Sequence, residues 1–144
     1  MLSVSFRPRL RVIELPKQIE KMLKIPLSAG GMIVQQEAQV LLGTQGGAAA
    51  PGDGWPAYFN KQLRAWVTAS TPIMPPHRQT GTLQQSIKRT MMGRTEIGIG
   101  SPLDYAKKLE YGEAHMKGKR PFMRPALYAS VDRIMRSFYH FLGV

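Results

Sequence analysis

Three histidines, His77, His115 and His140, are the side chains best suited to acid–base or metal chemistry near neutral pH. None sits beside another at ligand spacing, and there is no His-Glu-x-x-His or similar pattern. Each therefore reads as a structural or surface residue. The serines lack a Gly-x-Ser-x-Gly elbow that would expose a nucleophile on a sharp turn. Gly98-Ile99-Gly100 lacks the third glycine and the strand–helix–strand context of a dinucleotide loop, and no phosphate loop is present. The acids are scattered, with no pair standing out as an acid/base couple. With no cysteine in the chain, disulfides, zinc–thiolate sites and cysteine nucleophiles drop out together, and a reducing compartment fits. Catalysis is the weakest class of function for these residues, and no metal or cofactor is expected.

Charge offers more. The chain of 144 residues carries 20 Lys and Arg against 9 Asp and Glu, a net charge of +11. The excess is spread over most of the chain but is missing from residues 27–60, which hold no cation and two anions. Lys107, Lys108, Lys117, Lys119, Arg120 and Arg124 cluster in sequence. Arg78, Lys88 and Arg89 form a second group. Such residues suit phosphates, giving salt-dependent affinity, or an acidic protein surface. No RNA-recognition, helix-turn-helix or zinc-finger signature accompanies them.

The elements that must position these residues follow from periodicity. A hydrophobic content of 43% allows a real core and one domain. No apolar run approaches the ~20 residues of a membrane span, and the N-terminus lacks the apolar core of a signal peptide. Residues 9–14 alternate as a strand. A helix starts near Leu15-Pro16, with Ile19, Met22 and Leu23 on one face, and Pro26 interrupts it. A second stretch over 27–42 carries Leu27, Val34, Ala38 and Leu41 as a stripe, weakened at its start by Gly30-Gly31.

Residues 43–56, GTQGGAAAPGDGWP, read as a flexible exposed loop whose composition offers little to bury. Asn60 then caps a short helix carrying Leu63, Trp66 and Val67. Residues 71–81 are a rigid proline-rich connector. Thr82-Leu83-Gln84-Gln85 has the form of a capping box. A hairpin over 87–92 and 95–99 turns at Gly93-Arg94 in type II′ geometry, with Ile97 and Ile99 on one face. Gly98 and Gly100 point to a bulge or a close backbone approach.

Ser101 caps the next helix, Pro102 opens it, and Tyr105, Ala106 and Leu109 form its apolar face while Lys107, Lys108 and Glu110 face out. Gly112 is a left-handed stop. The last helix runs from about Pro125 to Leu142, with Leu127, Val131, Ile134, Phe138 and Phe141 as its stripe and Asp132 placed to pair with Arg136.

Candidate partner-facing residues lie at the punctuation between these elements. Trp55 and Trp66 flank the loop region, and either suits an interface anchor. Met91, Met92 and Met116 are adaptable side chains of the same kind. Tyr105, Tyr111, Phe122, Met123 and Pro125 bracket the cationic loop. Phe122 and Met123 are held extended before Pro125, placed to plug the sheet or a neighbouring subunit.

Three pieces in order carry a resemblance: Thr80-Gly81-Thr82-Leu83-Gln84-Gln85-Ser86-Ile87, then IGIGSPLDYAKKLEYG over 97–112, then Arg120-Pro121-Phe122-Met123-Arg124-Pro125-Ala126-Leu127. This set resembles the head–tail joining, or tail-completion, neck proteins of long-tailed double-stranded-DNA bacteriophages. It covers roughly residues 80–130. Residues 43–72 depart from the simplest pattern, and Gly54-Trp55-Pro56 is similar to related virion-morphogenesis proteins.

The resemblance implies an α+β fold, a small antiparallel sheet flanked by a long N-terminal helical segment and a C-terminal helix. It implies no catalysis. It also implies ring assembly at the head–tail junction, with neck, portal-side and tail proteins as neighbours and DNA passing through the centre. The expected location is the virion, after assembly in the host cytoplasm. A basic nucleic-acid-binding module is the other reading of the same charge.

Overall fold

A computed structural model describes residues 2–6, 17–44, 57–61, 64–68, 75–76, 80–114 and 118–143. The fold is α+β. Strand β1 (Leu2–Phe6) precedes helix α1 (Lys17–Thr44), and strands β2 (Ala57–Asn60) and β3 (Ala65–Thr68) follow. A one-turn helix α2 (Thr82–Ser86) leads into strands β4 (Lys88–Met91) and β5 (Ile97–Ser101). Helices α3 (Asp104–Tyr111) and α4 (Met123–Leu142) complete the chain.

The main sheet is antiparallel, in the order β1-β5-β4. β5 pairs Ile99 with Val4 on one side and with Arg89 on the other, so the chain's start is stitched to its middle. Ile97 and Ile99 point to the core as the alternation predicts. Above them lies α1, whose Leu27, Val34, Ala38 and Leu42 are buried. Of the glycine pair that looked like a weakness, Gly31 has a packing reason: a Cβ there would lie 2.5 Å from Ile97 Cδ1. A side chain there would have to displace the end of Ile97. α4 packs along α1, adding Met123, Ala126 and Ile134 to the same core.

Side-chain amides fasten α1 to the α2 segment. Gln35 Nε2 donates to the Ile87 carbonyl at 2.9 Å, and Gln84 Nε2 donates to the Gln39 carbonyl at 2.8 Å. Two exposed ion pairs, Arg94–Glu20 at 3.3 Å and Arg133–Glu37 at 3.1 Å, hold the hairpin tip and α4 against α1. Exposed pairs of this kind contribute about 0–1 kcal/mol.

Several sequence expectations change. Helix α1 runs through Pro26 without a break, and Pro26 itself is buried. The core packing along α1 outweighs a lost backbone hydrogen bond. Of the trio Ile19, Met22 and Leu23, only Leu23 is buried. Helix continues through Gly43 and Thr44, and residues 45–56 of the expected loop lie outside the described residues, as do the 9–14 strand and most of 71–79.

In place of the short helix expected after Asn60, strands form among the described residues. Residues 57–60 and 65–68 make a hairpin in which Phe59 opposes Trp66, and Arg64 takes a positive φ of 50° in the turn. Aromatic and β-branched residues favour strands, and that preference wins here. The 93–94 turn is not type II′, since Gly93 lacks a positive φ. Met92 N instead bonds Glu96 O at 3.0 Å around a three-residue loop. Helix α2 starts where predicted, but its cap is Gly81 with no side-chain bond, so the capping box does not form.

Candidate assembly surface

The stretch from α3 into α4 holds most of the candidate residues, and its geometry begins with Glu110. The sequence pattern turned Glu110 to solvent; the structure buries it, 3% exposed. One carboxylate oxygen, Oε2, accepts from the backbone N–H of Phe122 at 2.8 Å and of Met123 at 3.0 Å. Oε1 accepts from Arg124 N at 3.0 Å. These are the orphan donors at the start of α4. The next residue, Pro125, has no N–H to satisfy. A single carboxylate from α3 therefore completes the N-terminus of α4, where the helix dipole also favours negative charge.

Chain reversal between the two helices brings Glu110 to that position. Gly112 ends α3 with φ 82° and ψ 162°, a region open essentially to glycine. It is a positive-φ stop, but its extended ψ is not that of a left-handed helical residue. Its N–H closes on Lys108 O at 2.7 Å. Arg120 N then bonds Leu109 O at 2.7 Å, so the chain returns along α3 before α4 begins.

Ser101, expected to cap α3, instead ends β5 and is buried. Its hydroxyl oxygen accepts from Leu103 N at 3.1 Å and lies 2.7 Å from Ser86 Oγ, which donates to Leu83 O at 2.7 Å. With the Ser86 proton committed, Ser101 donates to Ser86. The two hydroxyls link α2, β5 and the entry to α3.

This arrangement sorts the candidate residues. Phe122 and Met123 are fully buried, so they plug this chain's own core and are not open to a neighbour. Arg120, expected to face a partner, is also buried, at 8% exposure, where it donates to the Gly118 carbonyl at 3.4 Å. Pro125 is half-buried. Tyr105 and Tyr111 are exposed, and Arg124 lies 5.6 Å over the Tyr111 ring. Partial burial of its ring pushes the Tyr105 phenol above its ordinary value. Lys107, Lys108, Lys119 and Arg124 are exposed around the junction, with Lys108 3.1 Å from Glu113.

Lys88 and Arg89 are exposed on β4, and α3 packs against β1. These strands are opposite edges of the sheet, so the two groups are not gathered into one patch. Trp55, Arg78, Lys117, His77 and His115 lie outside the described residues.

Sequence reasoning missed two apolar faces. On α1, Met22, Ile25, Met32 and Val40 are exposed, Ile25 by 62%. They lie opposite the Leu27–Val34–Ala38 face. The available signal was charge: from Ile25 to Thr44 the helix has one charged residue, Glu37, and that one pairs with Arg133. On α4 the buried face is Met123, Ala126, Ser130 and Ile134, rotated from the predicted stripe. Ser130 satisfies its hydroxyl on Ala126 O at 2.6 Å. The rotation leaves Tyr128, Val131, Met135, Tyr139 and Leu142 exposed, Tyr128 by 74%, and Phe141 partly so. Arg136 bonds the backbone carbonyl of Asp132 at 3.3 Å rather than its carboxylate.

Among the described residues no acid–histidine cluster is arranged to hold a metal, and no helix is long and apolar enough to cross a membrane. No family model, curated protein or solved structure matches the chain.

Proposed function

We propose that this chain is a structural subunit of a tailed double-stranded-DNA phage particle, joining or completing the tail at the head–tail interface by packing side by side in a ring. One observation carries the reading: in a chain of net charge +11, its two longest helices turn apolar residues outward, Ile25, Met32 and Val40 on α1 and Tyr128, Val131 and Met135 on α4. A contiguous apolar helix face without cover is the kind of surface that another molecule covers, and a neighbouring protein subunit is one such cover. A ring needs a fixed rotation between subunits, because head-to-tail contacts close only at the right angle. The α3–α4 junction suits that demand, since Gly112, Glu110 and Pro125 fix how α4 leaves α3. Of the three pieces that carry the phage resemblance, the end of the second, with Glu110 and Gly112, and the third, from Arg120 to Leu127, lie at this junction. The subunits' neighbours would be neck, portal-side and tail proteins, in the virion and beforehand in the host cytoplasm. No cofactor enters this reading.

Electron microscopy and infectivity of particles made without the chain test it. The expected result is heads and tails that fail to join, or tails that end abnormally. Complete infectious particles would overturn it.

The exposed cations Lys88, Arg89, Lys107, Lys108, Lys119 and Arg124 favour a second reading, a nucleic-acid-binding module. Its signature is tight DNA binding that falls steeply with salt. Binding that is weak at physiological salt would assign the charge to acidic protein neighbours.

A further inference from the structure

The exposed face of α1 and the exposed flank of α4 share a spacing. Met22, Ile25, Ala29, Met32 and Gln36 recur at three, four, three and four residues on α1. On α4, Tyr128, Val131, Met135 and Leu142 are exposed at matching positions, and Phe138, half-buried against this chain's own core, completes the same intervals. Both are seven-residue repeats of the kind that pairs helices along a seam. At 1.5 Å per residue each series spans about 21 Å, so one can lie along the whole of the other.

Charge selects what covers them. A partner drawn by the cationic surface would dock on cations, and the α1 face from Ile25 onward has none. A second copy carries the same +11 and can approach only where neither surface brings cations together. When the two series are set in step and parallel, one pair of charges stands beside the seam. Lys21 directly precedes Met22, and Asp132 directly follows Val131. In a parallel helix pair these positions face one another across the seam and set both partner and direction. Both are exposed, and neither makes an ion pair among the described residues. Asp132 is the only acid on α4. In that register Tyr128 stands opposite Met22, and Tyr139 stands one residue past the position opposite Met32, so ring–sulfur contacts, a favourable type, are within reach.

We propose that the outer face of α1 on one copy is covered by the exposed stripe of α4 on the next copy, the two helices running in the same direction with Lys21 against Asp132. The inference rests on the assembly reading and adds which two faces meet. Because they are different faces of one chain, the contact is head-to-tail and repeats.

The absence of cysteine makes a thiol test clean. Ile25→Cys and Val131→Cys are made as separate full-length proteins, both at exposed positions. Under mild oxidation each alone stays mostly unlinked, their mixture forms a disulfide dimer, and a chain carrying both forms a ladder of higher species. The same variants are oxidised in concentrated solution and in assembled particles. Equal linkage from either variant alone shows a symmetric contact and overturns the proposal. So does failure of the mixture to link in both settings.

Asp132→Lys lowers the linking rate of the mixture about threefold, the scale of one exposed ion pair, and Lys21→Asp in the partner restores it. No response to Asp132→Lys overturns the parallel arrangement. The particle experiment keeps the two readings apart. Complete particles made without the chain remove the virion role and leave the disulfide ladder to be judged on its own. Defective particles with no linkage remove only this contact.

Discussion

Phe122 and Ile25 are both large apolar residues next to a proline, yet Phe122 is fully buried and Ile25 is 62% exposed. The α3–α4 junction around Phe122 is closed: its apolar groups are covered and its helix-start donors meet the Glu110 carboxylate. The α1 face around Ile25 is open: from Ile25 to Thr44 the helix has one charged residue, Glu37, and Ile25, Met32 and Val40 stay exposed. A region that stabilises the monomer satisfies itself internally. A region that serves assembly leaves its apolar surface for another chain. Substitutions should therefore separate, with large stability effects at the junction and small ones at the open faces.

The largest effect belongs to Glu110. Replacing it with Ala strands three backbone donors, two of them buried, at about 1–3 kcal/mol each, so a loss of about 4 kcal/mol is expected in denaturant unfolding. Glu110→Gln keeps one acceptor oxygen but turns an N–H₂ toward donors, and should cost about half as much. A loss under 1 kcal/mol for Glu110→Ala would mean that the junction does not depend on this carboxylate. Gly112→Ala comes next. Its Cβ would meet Lys119 only at ordinary contact distance, 3.5 Å, so the cost is conformational, about 2 kcal/mol.

Gly31→Ala pits a helix-propensity gain of about 1 kcal/mol against overpacking of about 1–3 kcal/mol, and a net loss near 1 kcal/mol is expected. The clash is with Ile97 Cδ1. Ile97→Val removes that methyl, so the double variant should be more stable than the sum of the two single losses predicts. Simple additivity would show that the helix–sheet approach is looser than the geometry indicates.

How much of this was legible from sequence depends on the range over which each feature is determined. The α1 core face, the Ile97–Ile99 face and the ends of α3 and α4 at Gly112 and Leu142 follow from local pattern, and they are present, while both helices start two residues away from the expected position. Glu110 read as solvent-facing because a charged residue on a short helix usually is; its partners are twelve to fourteen residues ahead, beyond any helical repeat. The α4 stripe was misplaced because the helix is apolar over more than half its circumference, and pattern alone cannot say which part meets α1. The 57–68 hairpin was hidden by a stretch whose apolar spacing fits helix as well as strand. Of the site, the residue types at the junction were legible, but their division into buried and exposed was not: Phe122, Met123 and Arg120 went inside.

The smallest expected effect is the most discriminating. Ile25→Asn puts a polar group on a face that the fold does not cover, so unfolding should shift by no more than about 0.5 kcal/mol, the usual range for surface substitutions. If α1 faces only water, nothing else changes. If it faces α4 of another copy, an unpaired amide is buried at the seam, and assembly measured by light scattering or by particle completion falls while the monomer stays folded. Tyr128→Asn on α4 should act the same way, and the two together should be no worse than either alone, since both break one contact. Glu110→Gln provides the contrast: it lowers the unfolding midpoint first and disturbs assembly only as far as the monomer is lost.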